Sequence, residues 1–183
     1  MPRRRTSSMY DQLFGSMYDP WEKEPLVCNG NMLVMVYGSL KEGFGNHRLL
    51  IGQEFLGTFE TADPEFFMIS LGAFPGVHKG GSGRILGEVY RVDEDCFRSL
   101  DALEGNGYFY TREEVNAYCV MRPDGTVPGE MEVIQTWMYL LPRDDRQWGI
   151  APQDKNDLES MTGVFEWMPH RVVGVHPEDG TPE

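Results

Sequence analysis

Short apolar runs separated by glycine and proline fill the middle of the chain. One run, Met32–Val36, stops at Gly38, while residues 49–61 begin with apolar side chains and then alternate at Phe55 and Phe59. Apolar runs of this length between turn residues predict β-strands. Further segments of the same character bring the expected total to about six strands: residues 66–71, 85–92, 111–121 and 131–140.

Two segments between these runs have the composition of loops. Residues 72–83 hold five glycines with Pro75 and His78, which predicts a mobile or tightly turned loop. Such a loop can also act as a lid on one side of a binding site. Residues 122–130 are rich in proline and glycine and join two predicted strands, so we expect a hairpin loop there.

One segment has the spacing of an amphipathic helix. Asp93 is a suitable N-terminal cap, Phe97, Leu100 and Leu103 recur at helical spacing, and Gly105 marks the end. About six strands with one or two helices predict an α+β domain. Because there are too few helical crossovers for a parallel sheet, we expect a curved or closed sheet.

The pattern of apolar runs and turn residues weakens at both ends of the chain. We therefore divide the chain into an N-terminal arm, a domain and a C-terminal extension. Aromatic residues in the extension are expected to dock part of it on the domain, and its last residues are expected to be disordered. The predicted regions are an irregular arm at residues 1–30, the domain at residues 31–142 and the extension at residues 143–183, with Trp148, Phe165 and Trp167 as docking residues and a disordered end at residues 178–183.

The charge and the reactive side chains exclude several classes of protein. The 183 residues carry a formal charge of −13, which repels phosphate backbones and anionic membranes, so neither is an expected partner. No apolar stretch approaches the roughly 20 residues that a membrane span requires. The three cysteines and four histidines show no metal-binding spacing, so we expect no metal and no cofactor. A cytoplasmic protein is expected, and its oligomeric state is left open.

Two segments are candidates for chemistry. Where the first strand ends, Tyr37, Gly38, Ser39 and Leu40 form a sharp turn whose backbone NH groups can bind a carboxylate or a developing oxyanion. The second candidate is Glu104, an acid at the end of the amphipathic helix. Taken alone, each has an ordinary alternative, since a glycine after a strand is often only a turn and such a carboxylate is often only solvated.

The order of the motifs resembles the γ-glutamylcyclotransferase family, in particular its AIG2-like branch. The resemblance covers roughly residues 33–141 and rests on this succession of residues: Tyr37-Gly38-Ser39-Leu40, Asn46, Gly57, Phe74-Pro75-Gly76, Gly87-Glu88-Val89-Tyr90, Leu100-Asp101, Glu104-Gly105 and Tyr110-x-Arg112. It implies a small mixed β-barrel with flanking helices and an active site between the turn and the glutamate.

The resemblance also implies roles for individual residues. The backbone of Tyr37, Gly38, Ser39 and Leu40 would bind a γ-glutamyl group, and Glu104 would be the catalytic carboxylate. Tyr110 and Arg112 look like the tyrosine and arginine of the family's Y-x-R segment. Tyr108 competes with Tyr110 for the tyrosine position.

The implied reaction closes a γ-glutamyl group to 5-oxoproline and releases an amine or amino acid. The substrate carries its own nucleophile, the α-amine, so the enzyme holds the folded conformation and one carboxyl group transfers the proton. Two alternatives remain open at this point. The same fold can serve as a non-catalytic small-molecule binding module, or as a transferase that passes the γ-glutamyl group to an amine acceptor.

Overall fold

The computed structural model describes residues 32–142 and 162–168, and the backbone of residues 171–175. The predicted arm at residues 1–30, Trp148 and the predicted disordered end lie outside the described residues. The division into arm, domain and extension therefore stays a prediction. Within the described residues, no helix is long and apolar enough to cross a membrane.

The described part of the chain forms nine strands, one α-helix and a short 3-10 helix at His47–Leu50. The strands are β1 (Met32–Val36), β2 (Glu54–Thr61), β3 (Phe66–Ser70), β4 (Pro75–Lys79), β5 (Ser82–Val92), β6 (Thr111–Met121), β7 (Val133–Leu140), β8 (Thr162–Met168) and β9 (Arg171–Val175). The helix, α1, spans Glu94–Glu104. All six predicted strands and the predicted helix are confirmed, with boundaries that differ by a few residues.

Five of the strands close into a barrel. The ring runs β1, β7, β6, β2, β5 and back to β1. The pairing of β1 with β7 is parallel and the other four pairings are antiparallel. The predicted α+β fold with a mixed, closed sheet is therefore confirmed.

Strand β5 belongs to two sheets because it is longer than the barrel requires. Residues 86–92 pair within the ring, whereas residues 82–85 pair with β8 in parallel and Gly83 pairs with β3. The second sheet thus has the order β4, β3, β5, β8, β9. Along β5, buried and partly exposed residues alternate, and Ile85 and Val89 are completely buried in the core.

The expectation of a loop throughout residues 72–83 is wrong. Residues Pro75–Lys79 form β4, which pairs with β3 over five registered residues, and Val77 and His78 are buried. Three of the five glycines, Gly76, Gly81 and Gly83, serve close packing. A side chain at Gly76 would collide with Leu141, and one at Gly81 would collide with the backbone of β3.

Strands β8 and β9 lie beyond the region where the sequence pattern was informative. Phe165 and Trp167 on β8 are almost completely buried and belong to the main core. This part of the chain is therefore packed on the barrel. Its strands raise the count above the expected six.

Candidate active site

The turn after β1 is held by hydrogen bonds to its carbonyl groups. Lys41 N donates to Gly38 O at 3.0 Å, Asn46 N donates to Ser39 O at 3.0 Å, and Asn46 Nδ2 donates to Ser39 Oγ at 3.0 Å. In the part of the chain that the structure describes, the amide groups of Ser39 and Leu40 have no hydrogen-bond acceptor. A fixed turn with unpaired amides is a suitable site for a carboxylate or an oxyanion.

Glycine is required at position 38 by a close contact. A Cβ atom there would lie 2.9 Å from both Cδ and Cγ of Pro75, the first residue of β4. Real Cβ atoms essentially never approach other atoms this closely, and the proline ring has little freedom to move. The absence of a side chain at Gly38 therefore allows the turn to pack directly against β4.

The position of Glu104 follows from how α1 begins and ends. Asp93 caps the helix by accepting a hydrogen bond from Cys96 N at 2.8 Å, and the helix buries Phe97 and Leu100 against the barrel. At the other end, Gly105 adopts the left-handed conformation with φ 59°, and its NH bonds to Asp101 O. The last helical residue, Glu104, is thereby placed in the wall of the cavity described below.

Burial raises the pKa of Glu104 from 4.5 to about 7. The charged form loses hydration in this partly buried place, and the negative end of the α1 dipole acts in the same direction. A carboxyl group with a pKa near neutrality can accept a proton and return it at physiological pH. This is the property that a general acid and base requires.

Two tyrosines near this carboxyl group, Tyr110 and Tyr37, remain protonated. Burial and the nearby charge of Glu104 raise the pKa of Tyr110, and burial, Tyr110 and Glu104 together raise the pKa of Tyr37. The Tyr37 hydroxyl donates to Tyr139 O at 2.6 Å, and the Tyr110 hydroxyl donates to Pro75 O at 2.8 Å. Both phenols therefore have fixed orientations.

These elements enclose a cavity of about 350 Å³. This volume is within the usual range for small-molecule sites. The lining residues come from the end of β1, the turn, the start of β4, the end of α1 and the end of β7: Met35, Val36, Tyr37, Gly38, Ser39, Leu40, Asn46, Phe74, Pro75, Leu103, Glu104, Gly105, Phe109, Tyr110 and Tyr139.

All six residues to which the sequence assigned a catalytic or binding role line this one cavity. They are Glu104, Tyr37, Gly38, Ser39, Leu40 and Tyr110. Tyr108, the competitor of Tyr110, is 92% exposed and is not among the lining residues. The placement of Tyr110 favours it for the tyrosine position, while the chemical roles of all six stay predictions.

Arg112 is near the cavity but does not line it. It forms an ion pair with Asp101, and its guanidinium lies 4.1 Å from the centre of the Phe97 ring and 4.9 Å from that of Trp137. Asp101 also accepts a hydrogen bond from the Tyr139 hydroxyl at 2.8 Å. Arg112 therefore joins α1 to β6 and β7 and supports the cavity wall from behind.

The sequence interpretation missed two aromatic residues of the site, Tyr139 and Phe109, whereas Phe74 belongs to a motif that it had singled out. Tyr139 comes from β7, which the parallel pairing with β1 brings beside the turn. Phe74 and Phe109 lie on separate segments and meet at a ring-centre distance of 6.1 Å. No motif in the sequence indicated that Tyr139 or Phe109 belongs to the site, whereas Phe74 lies in the Phe74-Pro75-Gly76 motif.

The cavity of this closed mixed barrel combines a carboxyl group of raised pKa with the unpaired amides of the turn. An enzyme that catalyses acyl transfer by acid–base chemistry requires these two features. The family described as gamma-glutamyl cyclotransferase, AIG2-like, matches residues 34–160. The chain belongs to this family. The resemblance inferred from the motifs is thus confirmed.

Named relatives agree with this assignment. A gamma-glutamylcyclotransferase family protein of Escherichia coli K12 is 33% identical over 112 residues, which cover 61% of this chain and 84% of the relative. The gamma-glutamylaminecyclotransferase of Rattus norvegicus is 29% identical over 140 residues, covering 72% of this chain and 93% of the relative.

A solved structure supports the fold. The crystal structure of an AIG2-like protein from Mus musculus superimposes with a TM-score of 0.54 at 24% identity, covering 67% of this chain and 85% of the mouse chain. At this identity the similarity concerns the fold alone.

Proposed function

We propose that this protein cyclises a γ-glutamyl group to 5-oxoproline and releases the attached amine, with Glu104 as general base and general acid. The observation that carries the proposal is the position of Glu104. Its pKa is raised to about 7, and it lines the same cavity as the turn amides of Ser39 and Leu40.

The substrate supplies the nucleophile, so the site needs few reactive groups. When the γ-glutamyl chain folds back, its α-amine attacks the γ-carbonyl carbon and closes a five-membered ring. Holding two reacting groups in this geometry corresponds to an effective molarity of about 10⁵ M or more. The rigid walls formed by Pro75 and the buried tyrosines suit this positioning role.

Glu104 accounts for the proton transfers. Its carboxylate accepts a proton from the α-ammonium, which frees the amine to attack, and its carboxylic acid then gives this proton to the departing nitrogen. The ring nitrogen loses a second proton after the attack, and this proton also passes to the departing amine, which leaves as its ammonium form. One C–N bond forms and one breaks, so the products are 5-oxoproline and the protonated amine. Because both protons lost by the α-nitrogen end on the departing nitrogen, no net acid or base is consumed.

The turn accounts for the charge that develops on the γ-carbonyl oxygen. The amides of Ser39 and Leu40 are preorganised by the carbonyl hydrogen bonds of Gly38 and Ser39, and they have no competing acceptor in the described residues. Loss of one such donor in other enzymes costs about 10²- to 10³-fold in rate. Backbone donors cannot be removed by side-chain substitution, so Glu104 gives the sharper test.

The experiment incubates the purified full chain with a panel of γ-glutamyl amides, γ-glutamyl dipeptides and the isopeptide with the lysine ε-amine. Mass spectrometry detects 5-oxoproline. We expect turnover of at least one compound and a loss of about 10²- to 10⁴-fold in Glu104→Gln. Asp95→Asn is the matched control, since it removes an exposed carboxylate from the same helix.

Three outcomes would contradict the proposal. Folded protein that releases no 5-oxoproline from any compound would exclude cyclisation of this panel. Thermal stabilisation by a γ-glutamyl compound without turnover, unaffected by Glu104→Gln, would indicate a binding module. A product that carries the γ-glutamyl group on an added amine, in place of 5-oxoproline, would indicate a transferase.

A further inference from the structure

The cavity changes character from its base to its mouth. At the base, Met35, Tyr37, Tyr110 and Tyr139 are each no more than 6% exposed, and the tyrosines supply polar groups. At the mouth, Phe74 is 36% exposed and Leu103 is 41% exposed, although both line the cavity. A compound that reaches the base with its polar end therefore passes its other end between apolar side chains.

The apolar mouth is built on fixed elements. The Phe74 and Phe109 rings meet edge to face at 6.1 Å, and Phe109 meets Tyr110 in the same manner at 4.9 Å. Leu103 is held on α1, directly before Glu104. Three side chains from three segments thus present hydrocarbon surface to whatever leaves the base of the cavity.

The charge of the lining favours a particular kind of leaving group. Among the described residues that line the cavity, Glu104 is the one acid, and there is no lysine, arginine or histidine. A carboxylate on the leaving group would find no cation in this lining and would approach Glu104, whose ionised form repels it. An apolar substituent would instead replace water against Phe74, Leu103 and Phe109.

We propose that the amine released by this protein is an apolar one, with an aromatic or aliphatic substituent and without a carboxylate. The inference rests on the proposed cyclotransferase function. The γ-glutamyl end occupies the base beside Glu104 and the turn, and the amine end lies in the apolar mouth. The reaction is balanced as above: the amide C–N bond breaks, the two protons lost by the α-nitrogen pass to the departing nitrogen, and the amine leaves through the mouth.

Three probes that differ in single features test this assignment. They are γ-glutamylmethylamide, γ-glutamylphenethylamide and γ-glutamylphenylalanine, and the last differs from the second only by a carboxylate. The measurement is kcat/KM for 5-oxoproline release. We expect kcat/KM for the phenethylamide to exceed that for the methylamide by roughly tenfold or more, because the larger substituent fills the apolar mouth. We expect it to exceed γ-glutamylphenylalanine by about tenfold, because like charges are brought together in the latter.

Substitutions at the mouth test whether its apolar side chains cause the preference for the phenethylamide. Phe74→Ala should lower the ratio of phenethylamide to methylamide kcat/KM by roughly three- to tenfold. Leu103→Ala, on a different element, should lower the same ratio. Two variants on separate elements keep the test valid if one of them fails to fold. Ile51→Ala is the control, because Ile51 is 73% exposed and does not line the cavity, so its ratio should equal that of the unmodified protein.

The outcomes separate this inference from the function on which it rests. If 5-oxoproline forms equally well from all three probes, or best from γ-glutamylphenylalanine, the cyclotransferase function stands and the apolar amine is excluded. An unchanged ratio in both Phe74→Ala and Leu103→Ala also excludes it. Failure of all three probes, with turnover of another compound of the wider panel, excludes the apolar amine alone. Failure of every compound in both sets overturns both proposals.

Discussion

Lys41 Nζ lies 2.9 Å from Glu166 Oε1, and the two side chains are only 9% and 28% exposed. Lys41 directly follows the turn that contributes Ser39 and Leu40 to the cavity, and its amide closes that turn by bonding to Gly38 O. Glu166 belongs to β8, beyond residue 160, where the family match ends. A strand outside the shared family region therefore anchors the residue next to the candidate binding turn.

Breaking this ion pair should destabilise the protein more than breaking an exposed one. Glu166→Gln leaves the largely buried ammonium of Lys41 without its partner, so we expect the free energy of unfolding to fall by roughly 1–3 kcal/mol. This value lies between the cost of breaking a surface ion pair and that of breaking a fully buried one. Glu54→Gln breaks the exposed pair with Arg91 and should cost less than about 1 kcal/mol. Urea denaturation measures both, and equal losses would argue against an anchoring role.

The activity should depend on pH through Glu104. The base form of a carboxyl group with a pKa of about 7 increases as the pH rises to that value. We therefore expect kcat/KM to rise about a hundredfold between pH 5 and pH 8, with its midpoint near 7. Initial rates in buffers of constant ionic strength give the profile. A midpoint at about 4.5, the ordinary value for glutamate, would mean that burial does not tune this group.

The same group should lower stability as the pH rises. Its folded-state pKa of about 7 lies above the ordinary 4.5, so between these values the native state binds more protons than the unfolded state. The free energy of unfolding therefore falls across this window and is constant above it. Glu104→Gln lacks the effect and should be more stable than the unmodified protein by about 3 kcal/mol above pH 7, with little difference near pH 4. Denaturation at several pH values checks this, and parallel curves would contradict it.

A methyl group at position 38 should displace the turn. The new Cβ atom of Gly38→Ala would lie 2.9 Å from the Pro75 ring, so the turn or β4 has to shift. Because a small displacement of positioning groups is costly, we expect kcat/KM to fall by about 10- to 100-fold. Gly45→Ala is the control, since nothing lies within 4 Å of a Cβ there. Its kinetics and melting temperature should remain near those of the unmodified protein.

Two neighbouring tyrosines should respond differently to loss of the hydroxyl. Tyr110→Phe leaves Pro75 O without its buried donor, which costs about 1–3 kcal/mol of stability and loosens the cavity wall. Tyr108→Phe changes an exposed side chain and should cost no more than about 0.5 kcal/mol. Thermal unfolding and 5-oxoproline release compare the pair. Equal effects would mean that the buried hydroxyl has no special role.

The elements with local signals could be predicted from the sequence. The capping acid Asp93 and the terminal Gly105 defined α1 to within a residue, and β6 has the predicted bounds. Strand β4 was missed because Gly76, which is needed for close packing, and the glycines on either side of the strand give the segment the composition of a loop. Strands β8 and β9 were missed because their pairing depends on residues far away in the chain.

The same distinction explains which parts of the site could be predicted. The turn residues are consecutive, and Glu104 follows a well-marked helix, so their sequence context was informative. Tyr139 reaches the cavity only because β7 pairs in parallel with β1, and Phe109 meets Phe74 only after the barrel closes. The apolar mouth is thus a product of tertiary structure, with no signature in any one segment.

The length of β5 has a consequence for how a closed barrel can carry further strands. A closed ring has no free strand edge, so an added strand finds backbone partners only where a strand extends beyond the ring. Residues 82–85 of β5 form such an overhang, and β8 attaches there with β9 beside it. One long strand therefore allows the ring to stay closed while it carries a two-stranded ribbon, and this ribbon brings the carboxylate of Glu166 to Lys41 beside the turn.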